Sequence, residues 1–105
     1  MEWAGVYTGI IPAASSPGID VQITLNNDQT FELHYEYLNR DFVYSAMGKF
    51  FRDETGLITL DIKDAPPYYR VGNNCLIQLD MNRNTITGDL ADNYILRKLI
   101  TRHGR

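Results

Sequence analysis

From Ile19 to Tyr37 apolar and polar residues alternate almost without a break. Ile19, Val21, Ile23 and Leu25 take turns with Asp20, Gln22, Thr24 and Asn26. Phe31, Leu33, Tyr35 and Tyr37 take turns with Glu32, His34 and Glu36. A period of two sends successive side chains to opposite faces, so each run predicts a strand with one buried face. Between them Asn26-Asn27-Asp28-Gln29 supplies turn residues, and the pair reads as an antiparallel hairpin.

The remaining segments fit the same scheme. Trp3, Gly5, Tyr7, Gly9 and Ile11 alternate with Ala4, Val6, Thr8 and Ile10, which predicts a first strand. The breaker-rich stretch Pro12, Ala13, Ala14, Ser15, Ser16, Pro17, Gly18 is a loop. Phe42 to Arg52 is long for a strand and contains Gly48, a candidate bulge. Leu57–Ile62, Tyr68–Val71, Cys75–Asp80 and Tyr94–Leu99 are further strands, with Thr85–Thr87 a short extended piece at most. Val, Ile, Thr and the aromatic residues make up 34 of the 105 residues and suit a pleated, half-buried surface. Eight or nine short strands with no convincing helix predict an all-β domain spanning 1–105. The expected architecture is a small antiparallel up-and-down β-barrel, lipocalin-like, with a sandwich as the alternative. Closure into a barrel would remove sheet edges.

The charge is uneven. Net charge is −3, but Arg97, Lys98, Arg102 and Arg105 close the chain, so residues 1–96 hold 6 basic against 13 acidic residues. An acidic body repels phosphates, which argues against nucleic acid as a partner. The basic tail from about residue 100 reads as a solvated terminus. No apolar run approaches the roughly 18 residues of a spanning helix.

Few constellations suggest chemistry. Ser15 and Ser16 lie in no nucleophile-elbow context, and His34 and His103 are the only imidazoles. Glu32 and Glu36 flank His34 on a polar strand face, where acidic alternation is ordinary, so no catalytic residue is assigned and a non-enzymatic role is expected. The single cysteine, Cys75, excludes an internal disulfide and any multi-cysteine metal site. Met47 and Met81 are scattered relative to it, and neither a metal nor another cofactor is expected. Trp3, Tyr7, Tyr35, Tyr37, Tyr44 and Phe50 fall on faces expected to point inward. They line either a ligand cavity or a filled core, since a barrel of about eight strands holds side chains alone or one small ligand.

The run Tyr7-x-Gly9-x-Ile11-Pro12-Ala13-Ala14-Ser15-Ser16-x-Gly18-Ile19 resembles the start of the N-terminal domain of the NlpE family, bacterial envelope lipoproteins linked to copper resistance and envelope-stress signalling. The resemblance continues through Leu25, Asp28, Thr30 and Phe31, and resumes at Tyr69-Arg70-Val71-Gly72, Leu79-Asp80, Ile86-x-Gly88-x-Leu90 and Tyr94-x-Leu96. It implies a small lipocalin-like barrel in the cell envelope, at the outer membrane or in the periplasm. The family pattern in the loop carries a CxxC pair, whose thiolates suit a soft metal or redox exchange. Those two positions are Ala13 and Ser16 here, by divergence of the pair or by its replacement. Copper or thiol chemistry at this loop is therefore not carried over. The resemblance also implies an export signal and an acylated cysteine. Neither is present in these residues, and the expectation is a mature domain without its signal, attached to a membrane only through an anchor outside this chain. The expected role is protein contact in envelope or copper stress response with an unidentified envelope partner, and the loop Pro12–Gly18 is the expected contact. The alternative is a lipocalin-like carrier of a small ligand.

Overall fold

In the computed structural model residues 3–14 and 16–100 are described. Ser15, His103 and the basic tail past residue 100 lie outside the described residues. Eight strands follow in order: β1 (Gly5–Ile11), β2 (Ile19–Leu25), β3 (Thr30–Tyr37), β4 (Val43–Arg52), β5 (Leu57–Leu60), β6 (Tyr68–Gly72), β7 (Cys75–Gln78) and β8 (Ile95–Lys98). Each pairs antiparallel with its neighbour in sequence, and β1 returns to β8, giving an up-and-down barrel. Among the described residues the one helical element is a single 3-10 turn at Ala91–Tyr94. Thr85–Thr87 forms no strand, and only a bridge joins Thr85 to Leu79. Several strands stop a residue or two short of the alternating pattern, β5 at Leu60 rather than Ile62 and β7 at Gln78 rather than Asp80.

The period of two dictates the interior. In the β1–β2 and β2–β3 ladders Tyr7 faces Ile23 and Ile23 faces Leu33, so the inward residues stack in register. Tyr7, Val21, Ile23, Leu25, Phe31, Leu33, Phe50, Ile58, Leu60, Tyr69, Leu76 and Leu96 are all buried and touch one another in a single core. Gly48 is not a bulge. The β3–β4 ladder runs through it without interruption, opposite Phe31, and a Cβ there would sit 3.2 Å from the Phe31 ring. The glycine makes room for an aromatic side chain on the neighbouring strand.

The two ends of the barrel differ. At the end holding the β2–β3, β4–β5 and β6–β7 turns, Trp3 closes the interior. Its indole meets Phe50 edge-on at 5.4 Å between centroids, and the Arg52 guanidinium lies 5.3 Å above it. The buried Tyr7 hydroxyl donates to the Trp3 carbonyl at 2.7 Å. The β1–β2 loop, the β3–β4 turn and the β5–β6 and β7–β8 connections meet at the opposite end.

Aspartate side chains brace three of the turns. Asp28 accepts from the Thr30 N–H and hydroxyl, Asp53 from Thr55 N–H and hydroxyl and from Leu57 N–H, and Asp80 from Asn82 and Asn84 N–H. This is the Asx-turn device, in which a short carboxylate stands in for a backbone acceptor. The Thr30 and Thr55 hydroxyls are the main reason that Asp28 and Asp53 are held below the usual aspartate value. A depressed carboxylate stabilises the fold fully above its unfolded-state pKa, about 3.9, and that stabilisation is lost as pH falls through the lower folded value. Stability is therefore expected to fall on acidification below about pH 4, and less steeply for Asp53→Asn. Urea melts at several acidic pH values check this, and parallel pH profiles for the two proteins would refute it.

Closure is incomplete along one seam. β4 pairs with β3 from Thr30–Lys49 to Glu36–Val43, but with β5 only through Phe50, Phe51 and Arg52, extended by Asp61 N–H donating to Lys49 C=O at 2.9 Å. Beyond Asp61 the chain leaves the sheet, and Ile62 and Ala65 pack inward on the core. The expectation that a barrel removes sheet edges thus fails for the first half of β4, which has no strand partner on the β5 side.

Candidate functional site

The loop between β1 and β2 was the place the sequence marked for function. Within it, Ser16 is tied down locally: its hydroxyl donates to Gly18 C=O at 2.8 Å and accepts from Gly18 N–H at 3.3 Å. Gly18 C=O also accepts from Leu38 N–H at 3.0 Å, which joins the loop to the β3–β4 turn. Ala13 is half-buried and packs on the core at the mouth of the barrel. Pro12 and Pro17, together with Ile10, Leu90 and Asn93, line a shallow cleft of about 180 Å³. Ile10 and Leu90 are exposed large apolar residues. Nothing in the local sequence marks Ile10, Leu90 and Asn93 as part of this cleft, because only the path of the β7–β8 connection brings Leu90 and Asn93 to the loop.

The six aromatic positions proposed for the interior do lie on inward faces, at different depths. Trp3, Tyr7, Tyr35 and Phe50 are buried in the core; Tyr37 and Tyr44 are half-buried against it at the open end. Tyr44 meets Tyr35 at 6.0 Å and Tyr37 meets Phe42 at 5.1 Å, both edge-on. Tyr69 belongs with this group and was missed, although Tyr69 and Val71 alternating with Tyr68 and Arg70 signals it. Gln78, the buried polar residue of the interior, is its register partner on β7.

These side chains belong to one buried core. Two concave spaces, of about 380 and 370 Å³, open on the outer face of β2–β3–β4, around Gln22, Glu32, His34, Met47 and Lys49. Among the described residues Trp3 Nε1 and the hydroxyls of Tyr35 and Tyr69 are buried without a hydrogen bond of good geometry, the two hydroxyls lying beside each other. Burial pushes the Tyr35 phenol up to about 12 and Tyr69 well above the ordinary tyrosine value, with the adjacent Tyr35 adding to the latter. Both are neutral at any physiological pH. An unpartnered buried hydroxyl costs about 1–3 kcal/mol. Tyr69→Phe is therefore expected to leave stability unchanged or raise it by about 1 kcal/mol, read by urea unfolding. A loss of that size would show that the hydroxyl holds something.

The polar candidates are dispersed. His34 is exposed, and its Nδ1 lies 2.9 Å from Ser45 Oγ. Glu32 and Glu36 share that exposed face, and no hydrogen bond joins either to the ring among the described residues. Cys75 is buried at the start of β7, at the barrel end opposite the loop, while Met47 and Met81 are exposed on β4 and beyond the far end of β7. Among the described residues no three His, Cys, Asp or Glu side chains form a metal-holding group. Among the described residues no helix is long and apolar enough to cross a membrane.

Comparison with known proteins agrees with this geometry. A structure described as a putative lipoprotein from Shewanella oneidensis superposes with a TM-score of 0.84 at 45% identity, covering 93% of this chain and 90% of that one. The Cpx pathway activator NlpE from Escherichia coli superposes at 0.69 and 23% identity over 96% of this chain and 52% of its own, a likeness of fold. The curated lipoprotein NlpE of Escherichia coli K12 is 28% identical over 93 residues, which are 86% of this chain and 39% of that protein. The chain thus spans about two-fifths of the length of that relative. Residues 7–89, from the inward Tyr7 to the β7–β8 connection, match the NlpE N-terminal domain, and the chain belongs to that family.

Proposed function

We propose that this chain is a non-enzymatic domain of the bacterial cell envelope that serves envelope or copper stress responses through contacts of its outer surface with another envelope protein. The observation that carries this reading is the filled interior combined with the loop. Where the family pattern has two thiols, this chain has Ala13 packed on the core and a Ser16 hydroxyl engaged by Gly18. Neither side chain offers a soft ligand or a redox group. What the loop does offer is a cleft with exposed Ile10 and Leu90 on a rigid barrel end, the kind of place where loops carry recognition. The relative described as a lipoprotein supports the cellular setting.

Two experiments test it. In cells carrying the full natural protein, replacing Ile10 and Leu90 with aspartate is expected to abolish the stress response while the domain still folds; an unchanged response would overturn the contact surface. In vitro, Cu(I) titration is expected to show no uptake by this chain and uptake after Ala13→Cys with Ser16→Cys. Tight uptake by the unaltered chain would overturn the loss of metal chemistry. The carrier reading draws on the buried Tyr35 and Tyr69 hydroxyls beside each other in the core, and it requires a cavity of about 300 Å³ or more among them.

A further inference from the structure

The unpaired half of β4 is a docking edge. In the β3–β4 ladder Tyr37 N–H donates to Phe42 C=O, so the even residues of β4 turn their backbone groups toward β3. The odd ones point the other way, as Lys49 C=O does in accepting from Asp61 N–H. The N–H and C=O groups of Val43, Ser45 and Met47 therefore face the side that β5 leaves vacant, and no described residue pairs with them. Backbone groups left unpaired are tolerated only at water. The side chains agree: Val43 is 58% and Met47 77% exposed, on an edge lacking the proline or inward charge that usually blocks strand addition.

We propose that this edge binds the same edge of a second copy of the chain, antiparallel, about a twofold axis at Ser45. The sequence is its own complement in that register. Val43 meets the second copy's Met47, and Ser45 meets Ser45. On the other face bulky Tyr44 lies opposite small Ala46, and Phe42 opposite Gly48. Asp61 occupies the place beside Lys49, so the shared ladder runs from Val43 to Met47 and makes about six backbone hydrogen bonds. Past each end of the ladder, beyond the paired residues, the exposed Asp41 side chain of one copy approaches the exposed Lys49 side chain of the other. The Val43–Gly48 segment carries no charge, so nothing within the ladder opposes like against like. The room exists because Ile62 and Ala65 draw the β5–β6 connection inward over the core. Five residues a side bury far less than the roughly 800 Å² per partner of a standard interface, so the dimer is weak and concentration-dependent. This inference is independent of the stress-response reading, which needs the loop end of the barrel and not this edge.

Sedimentation velocity over a wide concentration series tests it. The unaltered chain is expected to shift from monomer toward dimer as concentration rises. Ser45→Pro, which removes an edge N–H that the monomer does not use, is expected to stay monomeric throughout. Lys49→Asp sets carboxylates against each other at both ends and is expected to weaken association about tenfold or more. Combining it with Asp41→Lys is expected to restore association, a result that a purely structural effect of either change would not give. A chain that stays monomeric at every concentration overturns the proposal. So does association that Lys49→Asp leaves unchanged, or that the double substitution fails to rescue. Should Ser45→Pro fail to fold, the charge exchange alone decides.

Discussion

Phe50→Ala is expected to cost about 3–5 kcal/mol of unfolding free energy, the range for truncating a fully buried phenylalanine. Phe50 is the first β4 residue of the β4–β5 ladder, opposite Leu60, and its ring supports Trp3 edge-on at the closed end of the barrel. Removing it opens a cavity and leaves the Trp3 indole without its neighbour, while Arg52 still covers the outer side. A domain of this size has a total stability of about 5–15 kcal/mol, so the variant is expected to be partly unfolded at ordinary temperature or close to it. Urea unfolding followed by Trp3 fluorescence measures the loss. A change below about 1 kcal/mol would mean that the interior is loosely packed where it is described as full.

Gly9→Leu is the second large effect. β1 and β8 close the barrel through only two residue pairs, Tyr7 with Lys98 and Thr8 with Arg97, and Leu99 N–H donates to Val6 C=O at 2.7 Å beside them. A Cβ at Gly9 would lie 2.8 Å from Leu96 Cδ2, 3.4 Å from Ile95 C=O and 3.5 Å from Leu96 Cα. The Leu96 side chain can move a little, but the backbone behind it cannot, so a leucine there pushes β8 away. The expected cost is about 1–3 kcal/mol, with the loss concentrated at the seam. Hydrogen exchange at the Leu99 amide is expected to quicken more than at the amides of the β2–β3 hairpin. Equal protection in both places would contradict a tightly packed seam.

The parts of this fold that were legible in the sequence are those in which one face is wet and the other dry. The hairpin Ile19–Tyr37 has that property along both strands, and its pairing of Val21 with Tyr35 and Ile23 with Leu33 follows directly. The inward set of aromatics was legible for the same reason. What escaped depends on neighbours distant in sequence. Gly48 looked like a bulge because a strand glycine often is one, yet its reason is the Phe31 ring across the ladder. Asp61-Ile62 continues the alternation of β5, so nothing local announces that Ile62 turns inward and leaves half of β4 unpaired. At the candidate site, Pro12 and Pro17 were foreseen as loop residues, whereas Leu90 and Asn93 join them only through the route of the β7–β8 connection. Ala13 and Ser16 were legible as a thiol-free pair; that Ser16 closes a local turn on Gly18 was not.

In the proposed role the barrel packs its own side chains inside and makes its contacts through its outer surface. Trp3, the only tryptophan, sits at the closed end against Phe50 and reports on that interior. Titrating the chain with a long-chain fatty acid while following Trp3 emission tests the claim most directly. The expected result is a flat emission maximum and intensity across the titration. A saturable shift, abolished by filling the mouth with Ala46→Phe, would show an accessible cavity and contradict the account.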